Sequence, residues 1–336
     1  MRNLSGSSLK FSKYLLFAIA VVITVISGCK ESESPVTPVE ETSSWILQNS
    51  NVTNNLKGVY FLDQQTGFAC GNSFPNDTNK LIKTTNGGVN WFRKPVSSSA
   101  ASMNCIYFMN ATTGFMSGSA GTILRTTNIG DEWTLQYTLN SIILYDVKFF
   151  NSQTGLACGT SGTILRTTDG GNNWQNVFSG FAGSLYSIAS NNTGEAFVCG
   201  ELGAILHSTD FGTSWTPQQS NTTNILKTIF FVNQTTGYTC GQRGRLLKTT
   251  NKGVVWDSLN APIADEISSI YFTDENQGII TGDHGKVYKT YDGGNTFTNK
   301  ITPTVNYLRK VFFHGGNSGW IVGEFGTILH SDMGGD

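Results

Sequence analysis

The chain has 336 residues, of which 13% are charged, and its 22 basic and 23 acidic residues give a formal net charge of −1. This balance lacks the basic excess on which nucleic-acid binding depends, so we expect no nucleic-acid partner. The 38 glycines and the near absence of helical periodicity indicate a sheet-rich protein.

The chain begins with a segment typical of exported proteins. A basic stretch precedes an apolar run, Tyr14 to Ile26, that is shorter than a membrane span. The run ends in Ile26-Ser-Gly-Cys29, which resembles the lipobox of bacterial lipoproteins, where the signal peptide is cut before a lipidated cysteine. We therefore predict a signal peptide over residues 1–28 and lipid attachment at Cys29. The alternative is an ordinary signal peptide or an anchor helix with a chance cysteine.

A tether and a folded domain follow the cleavage site. Residues 29–44 are polar, contain proline and show no periodicity, so we expect a flexible tether. The lipid would hold the protein on a membrane. We expect it in the bacterial cell envelope, at the outer membrane and facing the periplasm or the cell surface. Residues 45–336 form the predicted domain.

This domain is built from a repeat of about 41 residues. Each unit carries a short apolar strand, a Thr-Gly turn, a second strand ending in glycine, a third strand and an Asp or Asn turn closed by an aromatic residue, as in Gly162-Thr-Ile-Leu-Arg-Thr-Thr-Asp-Gly-Gly-Asn-Asn-Trp174. Periods of this length are typical of propellers and some solenoids, and four short strands per unit favour a propeller. We predict an all-β, seven-bladed β-propeller of four-stranded antiparallel blades.

The Asp turn supplies the structural signature of the repeat. A carboxylate or amide oxygen accepts backbone N–H groups a few residues further on, and the glycines that follow tolerate positive φ. The predicted turn residues are Asn86, Asn128, Asp169, Asp210, Asn251, Asp292 and Asp332.

The repeat pattern Gly-x-x-Gly-x-Ile-Leu-x-Thr-Thr-Asp-Gly-Gly-x-x-Trp resembles the Asp-box, or bacterial neuraminidase repeat, propellers. Within them the chain is most similar to the photosystem II stability/assembly factor family. The resemblance spans residues 45 to 336 and implies a propeller that binds other proteins while a membrane complex is assembled. The arginine-rich patch of that family is mostly missing here. Arg125 and Arg166 are repeat-locked and Arg93 lies on an outer strand, which leaves only Arg243, Arg245 and Arg309.

The ends of the domain predict how the ring closes. The seventh unit stops before its aromatic residue and fourth strand, whereas Trp45-Ile-Leu-Gln48 is an aromatic residue followed by a strand ahead of the first unit. We therefore expect the N-terminal strand to complete the last blade and to cover its open edge.

Two further features repeat with the blades. Four of the five cysteines after Cys29 stand at the end of the second strand, where other units have small residues, so we expect buried free thiols and no disulfide or metal site. A basic residue precedes every Asp turn, and we interpret this position as structural, covering the Trp through its apolar stem or a cation–π contact.

Candidate binding residues are those that vary between blades near the top of the channel, the face opposite the Asp turns. Lys57, Tyr145, Tyr186, Lys227 and Arg309 come from the first strands, and Arg243 and His284 from the turns between second and third strands. A rim of basic and aromatic residues suits a protein partner, because Tyr and Arg are enriched in interfaces. We expect a membrane-anchored, noncatalytic, monomeric scaffold without a cofactor or metal, whose partner the sequence does not name.

Two other functions remain open. Exposed aromatic residues, among them Phe74 in an inserted loop of the first unit, would suit a glycan-binding or adhesion propeller. A sialidase-like glycoside hydrolase would need an arginine cluster for the substrate carboxylate and a tyrosine nucleophile. The three arginines available for such a cluster come from two nonadjacent units and have no catalytic motif around them.

Overall fold

The structure, a computed structural model, describes residues 43–72, 80–96, 102–191 and 193–336. All of these belong to one contact unit, Glu41–Asp336. The predicted signal peptide, Cys29, all of the tether up to residue 42 and the loop that carries Phe74 lie outside the described residues.

The strands form seven antiparallel four-stranded sheets, which confirms the predicted propeller. The first strand of each blade is mostly buried because it packs between neighbouring blades, and its fifth residue is half-buried in all seven. These inner strands are β2 (Leu56–Phe61), β6 (Met103–Phe108), β10 (Leu144–Phe149), β14 (Leu185–Ser190), β18 (Leu226–Phe231), β22 (Ile267–Phe272) and β26 (Leu308–His314). The second strands are buried throughout: β3 (Gly67–Gly71), β7 (Gly114–Gly118), β11 (Gly155–Gly159), β15 (Ala196–Gly200), β19 (Gly237–Gly241), β23 (Gly278–Gly282) and β27 (Ser318–Gly323).

The outer half of each blade is shorter and more exposed. The third strands are β4 (Leu81–Thr84), β8 (Ile123–Thr126), β12 (Ile164–Thr167), β16 (Ile205–Ser208), β20 (Leu246–Thr249), β24 (Val287–Thr290) and β28 (Ile328–Ser331). The fourth strands are β5 (Phe92–Lys94), β9 (Thr134–Tyr137), β13 (Gln175–Val177), β17 (Thr216–Gln218), β21 (Asp257–Ser258), β25 (Thr298–Lys300) and, for the last blade, β1 (Ile46–Gln48). Three short 3₁₀ turns also occur, Glu201–Gly203, Asp283–Gly285 and Glu324–Gly326. Within the described ranges no helix is long and apolar enough to cross a membrane.

The N-terminal strand closes the ring, as predicted. β1 pairs with β28 in the register Ile46↔His330, Leu47↔Leu329 and Gln48↔Ile328. Trp45 is 1% exposed and lies edge-on to Phe313 of the same blade at 6.2 Å. The residue that ends β1 also reaches the first blade, because the Gln48 amide donates to the Gly87 carbonyl at 2.9 Å and accepts from Trp91 Nε1 at 3.2 Å.

The Asp turns use a hydroxyl and a carboxylate or amide together. In the third blade, Thr167 Oγ1 donates to Asp169 Oδ1 at 2.8 Å and accepts from the Gly171 N–H at 3.0 Å, while the Asn173 N–H donates to Asp169 Oδ1 at 2.9 Å. The same hydroxyl-to-side-chain bond occurs at Asn86, Asn128, Asp210, Asn251 and Asp292.

The seventh turn differs from the prediction by one residue. Ser331 takes the position that Thr167 has in the third blade, since its hydroxyl accepts hydrogen bonds from the N–H groups of Met333 at 3.3 Å and Gly335 at 3.2 Å. Met333 therefore occupies the position that Asn or Asp holds in the other turns. Asp332 stands one residue earlier and accepts a hydrogen bond from Ser318 Oγ at 3.1 Å instead. The predicted position was wrong because Asp332 is acidic but directly follows the hydroxyl residue Ser331, whereas the turn residue stands two positions after the hydroxyl.

The repeated basic position ties neighbouring blades together. Lys248 Nζ lies 5.4 Å from the ring centre of Tyr238 on the second strand and donates to the Gly293 carbonyl in the Asp turn of the next blade at 2.9 Å. Equivalent links join Lys83 to the Ile129 carbonyl at 2.8 Å and Arg166 to the Phe211 carbonyl at 2.8 Å. Where the second strand carries an aromatic residue opposite the cation, as at Phe68, Phe115 and Tyr238, the cation covers that ring, and not the Trp that closes the turn as we had expected.

Candidate binding site at the mouth of the central channel

A β-bulge at the start of every first strand positions the residues of the channel mouth. In the third blade Leu144 pairs with Gly159 and Asp146 with Cys158, so Tyr145 has no partner in the ladder. The other six blades have the same irregularity. Bulges bend a strand and redirect a side chain. The seven bulged residues all line one cavity of about 460 Å³: Lys57, Asn104, Tyr145, Tyr186, Lys227, Ser268 and Arg309.

One side of the mouth is aromatic and capped by a cation. The rings of Tyr145 and Tyr186 are 4.8 Å apart, and Lys227 Nζ lies 4.7 Å from the centre of the Tyr186 ring. The Tyr186 hydroxyl donates to Glu201 Oε1 at 3.0 Å. Burial and this bond to a carboxylate raise the pKa of Tyr186 to about 12, so the hydroxyl stays protonated at neutral pH.

The opposite side is a network of ion pairs around Tyr307. Arg309 is paired with Glu324 at 2.5 Å and lies 4.8 Å from the centre of the Tyr307 ring. The Tyr307 hydroxyl is hydrogen-bonded to Glu266, whose other oxygen is 4.0 Å from Lys227 Nζ. Both cations are half-buried, so solvent and salt screen these pairs less than exposed ones.

Lys57 completes the mouth without a carboxylate. Its Nζ donates to Asn104 Oδ1 at 3.0 Å, and Asn104 Nδ2 in turn donates to the Leu144 carbonyl at 2.8 Å. Burial and the nearby charge of Arg309 lower the pKa of Lys57. The ammonium group is therefore poorly compensated, and an incoming anion would relieve its desolvation.

The lining as a whole is cationic. Five basic side chains line the cavity, Lys57, Lys148, Lys227, Arg309 and Lys310, against two carboxylates, Asp146 and Glu266. A concave site with one dominant sign of charge attracts oppositely charged segments and speeds their association.

Arg243 and His284 lie outside this cavity. Both are exposed, and both occupy the same position of the turn between second and third strands with φ values of 54° and 58°. Arg243 and Arg245 line a separate groove between the fourth and fifth blades. The sequence therefore predicted five members of the mouth and two residues of neighbouring turns. The separation also keeps Arg309 apart from the other two arginines that a sialidase-like cluster would need.

Sequence reasoning missed the deeper part of the channel. The fifth residue of each first strand also lines the cavity: Tyr60, Tyr107, Lys148, Ala189, Phe230, Tyr271 and Phe312. Five of the seven are aromatic, which was readable from the aligned repeats but was taken as part of the apolar strand. Glu266, a partner of the rim, was outside the predicted set because a carboxylate just before a strand carries no signal by itself.

The five cysteines that the structure describes are buried and free, as predicted. Cys70, Cys158, Cys199 and Cys240 end second strands, whereas Cys105 lies on β6 and its thiol donates to Asp146 Oδ1 at 3.0 Å. Burial is the main reason why the pKa of the Cys105 and Cys199 thiols rises to about 12, so these groups stay protonated. Among the described residues no group of His, Cys, Asp and Glu side chains could hold a metal ion.

The comparison with protein families identifies the chain. The family model described as photosynthesis system II assembly factor YCF48 matches residues 37–141, 134–219, 179–250 and 249–336. The chain belongs to this family. The match covers every blade.

Solved structures agree on the fold. YCF48 from Cyanidioschyzon merolae superposes with a TM-score of 0.72 at 19% identity, covering 86% of this chain and 99% of that one. A structure of YCF48 bound to D1 peptide gives a TM-score of 0.73 at 20% identity over 87% of this chain and 97% of that one. The WD40 propeller domain of Doa1 is also similar, with a TM-score of 0.70 at 9% identity over 86% of this chain and 96% of that one. No curated protein sequence matches the chain.

Proposed function

We propose that this member of the YCF48 family is a noncatalytic, membrane-anchored scaffold that holds a polypeptide segment of a client protein while an envelope or membrane complex is assembled. One observation carries the proposal. The seven bulges bring Lys57, Tyr145, Tyr186, Lys227 and Arg309 together around a single cavity on a rigid ring. Tyr and Arg are enriched in protein interfaces, and the two lysines add a positive charge that attracts an acidic partner.

The family supports this class of partner. A solved relative is bound to D1 peptide, which is a polypeptide segment. The proposal takes over the kind of ligand, a segment of a protein, and not that particular peptide, because the arginine-rich patch implied by the resemblance is reduced here to Arg309 at the mouth and Arg243 and Arg245 in the neighbouring groove.

We also propose that the protein is tethered in the bacterial cell envelope through a lipid on Cys29. The support is the apolar run that ends in Ile26-Ser-Gly-Cys29 and the polar segment 29–44 that follows it. A short tether before Trp45 would leave the monomeric propeller free to turn its channel mouth towards a client near the membrane.

Crosslinking in intact cells, followed by affinity capture of the tagged full-length chain and mass spectrometry, tests the scaffold. The rim variant carries Lys57→Gln, Lys227→Gln and Arg309→Gln. The matched control carries Lys94→Gln, Lys252→Gln and Lys300→Gln, three cations paired with Asp131, Glu195 and Asp336 away from the mouth. We expect one client protein to be captured by the wild type and the control, and at least tenfold less of it by the rim variant.

Equal capture by all three proteins would contradict the role of the mouth, provided that the variants unfold at the same temperature as the wild type. Capture of no protein would favour the glycan-binding alternative, for which the exposed rings of Phe178 and Phe325 are available. Turnover of a fluorogenic sialoside would contradict the noncatalytic role.

A further inference from the structure

Two lysine side chains lie in the channel below the mouth. Lys148 is the fifth residue of β10 and Lys310 the third residue of β26, and both line the central cavity. Within the ranges that the structure describes, neither ammonium group has a hydrogen-bond acceptor or a carboxylate within ion-pair distance. Such groups are costly to place in a confined cavity unless an anion compensates them.

Lys148 is held in its charged form by its surroundings. Its Nζ lies 4.8 Å from the ring centre of Tyr107. Burial lowers the pKa of Lys148, but attraction to Asp146 and to the Cys105 and Tyr107 groups outweighs it, and the net pKa lies above its usual value. The charge is thus present at neutral pH.

Lys310 lines the central cavity from the seventh blade. Although burial raises the pKa of the Cys105, Cys199 and Cys240 thiols, the charge of Lys310 acts against that rise at all three. These thiols belong to the second, fourth and fifth blades, whereas Lys310 is on the seventh. The charge of Lys310 therefore acts on thiols of three other blades, in keeping with its place in the lining of the central cavity.

The two carboxylates of the cavity are already engaged. Asp146 accepts from Cys105 Sγ at 3.0 Å, Ser187 Oγ at 3.3 Å, and the N–H groups of Val147 and Ile188 at 2.9 Å each. These donors come from three successive blades, so Asp146 is a structural anion. Glu266 is bonded to Tyr307 and paired with Lys227. Asp146 attracts Lys148 without lying within ion-pair distance of it, and among the described residues neither carboxylate is paired with Lys310.

Aromatic side chains form the rest of the channel at this depth. The ring centres of Tyr60 and Phe312 are 4.9 Å apart, and those of Tyr271 and Phe230 are 5.1 Å apart. The hydroxyls of Tyr60 and Tyr271 donate to the carbonyls of Phe108 and Phe313, at 3.0 and 3.1 Å. These rings narrow the channel and lower its polarity, which strengthens any ion pair formed with the two lysines.

We propose that Lys148 and Lys310 form an axial site for a carboxylate group below the mouth. The carboxylate has two sources, an acidic side chain of the polypeptide held at the mouth or a small free carboxylate. The inference deepens the proposed function in the first case and is independent of it in the second. The ligand enters from the mouth and places its negative charge between the two ammonium groups.

Calorimetric titration of the full-length protein in detergent micelles tests this site, with glutarate as the probe and uncharged glutaramide as its isostere at the same ionic strength. We expect saturable binding of glutarate and no binding of glutaramide. Lys148→Met and Lys310→Met should each weaken it about tenfold or more. Lys148→Arg and Lys310→Arg, which keep the charge, should retain most of it. Lys286→Met, a residue outside the cavity, serves as the control. Unchanged affinity in both methionine variants would overturn the site.

A second pair of probes separates the two sources. A short uncharged peptide with one central Glu is compared with the same peptide carrying Gln. Binding of the Glu peptide but not of glutarate, sensitive to both lysines, assigns the site to a polypeptide side chain. Binding of glutarate with the same sensitivity assigns it to a free carboxylate. Binding of neither probe overturns the inference.

The outcome can be told apart from that of the capture experiment. In one outcome the rim variant loses the client, whereas the wild type and the lysine variants capture it fully and bind neither probe. That result would support the scaffold and contradict the axial site. Lysine-dependent glutarate binding with unchanged capture by the rim variant would do the reverse.

Discussion

At the scale of single residues, each of the first six Asp turns is held by two acceptors of backbone N–H groups, a Thr or Ser hydroxyl and a carboxylate or amide oxygen. Asn and Asp both supply the acceptor, which is why Asn86, Asn128 and Asn251 can stand where Asp169 stands. Of the two residue types, only Asp has a carboxyl group that can be protonated in acid. In Asp210, burial opposes ionisation, but bonds from Ser214, Ser208 and Thr213 lower the carboxyl pKa to about 2.

This difference predicts a dependence of stability on acid. Because the pKa of Asp210 is about 2 in the folded protein and its ordinary value is 3.8, its contribution to stability is present above about pH 4 and is lost as the pH falls towards 2. Asp210→Asn should remove about 1 kcal/mol of this dependence, allowing for solvent screening. Asn251→Asp should add a similar amount. Urea unfolding between pH 2 and 5 measures both, and identical pH profiles for the three proteins would contradict the assignment.

The residue scale also marks how far sequence reasoning reaches. Lys57, Tyr145, Tyr186, Lys227 and Arg309 could be placed at the mouth because a fixed period aligns them. Asp332 was misplaced because an acidic residue one position early resembles the expected one. That Lys148 and Lys310 lack an ion-pair partner could not be predicted, since it depends on which side chains from other blades lie around them.

At the scale of elements, the closure of the ring depends on the fourth strand of the last blade. β1 supplies it from the other end of the chain, and Gln48 links it to Trp91 of the first blade. In the fifth blade Trp256 Nε1 donates to Gln218 Oε1 of the preceding blade at 3.3 Å, so the closing contact copies an ordinary contact between blades. The sequence predicted β1 from a lone aromatic residue, but not this interblade bond.

Deletion of residues 45–48 should therefore destabilise the whole ring. The variant loses the burial of Trp45, the pairing of β1 with β28 and the bonds of Gln48. Loss of a large buried aromatic side chain alone costs about 3–5 kcal/mol. We expect a melting temperature lower by about 10 °C or more and aggregation through the exposed edge of β28. An unchanged melting temperature would show that β1 does not close the ring.

At the scale of the whole molecule, every blade is joined to the next by the same kinds of contact. Basic side chains such as Lys83 and Lys248 bond to the next Asp turn, and apolar clusters extend across the boundaries between blades. An open repeat array unfolds one neighbour at a time, whereas a closed ring has no end from which to start.

We therefore expect the propeller to unfold in one cooperative step. Tryptophan fluorescence reports on the turns, because Trp45, Trp91, Trp133, Trp174 and Trp256 are buried beside them, and far-ultraviolet circular dichroism reports on the strands. The two urea transitions should coincide for the wild type and separate in the variant that lacks residues 45–48. Separate transitions in the intact protein would contradict the closed-ring argument.

The pairing of residue 46 with residue 330 also sets an order of events during protein synthesis. The strand that leaves the ribosome first must wait, unpaired, until the last strand has been made. The blades between them complete their own sheets as they emerge, so folding proceeds from the first complete blade onward and finishes only when the ends of the chain meet. A truncated nascent chain is left with an unmatched strand at one end, which exposes incomplete copies to proteases and chaperones.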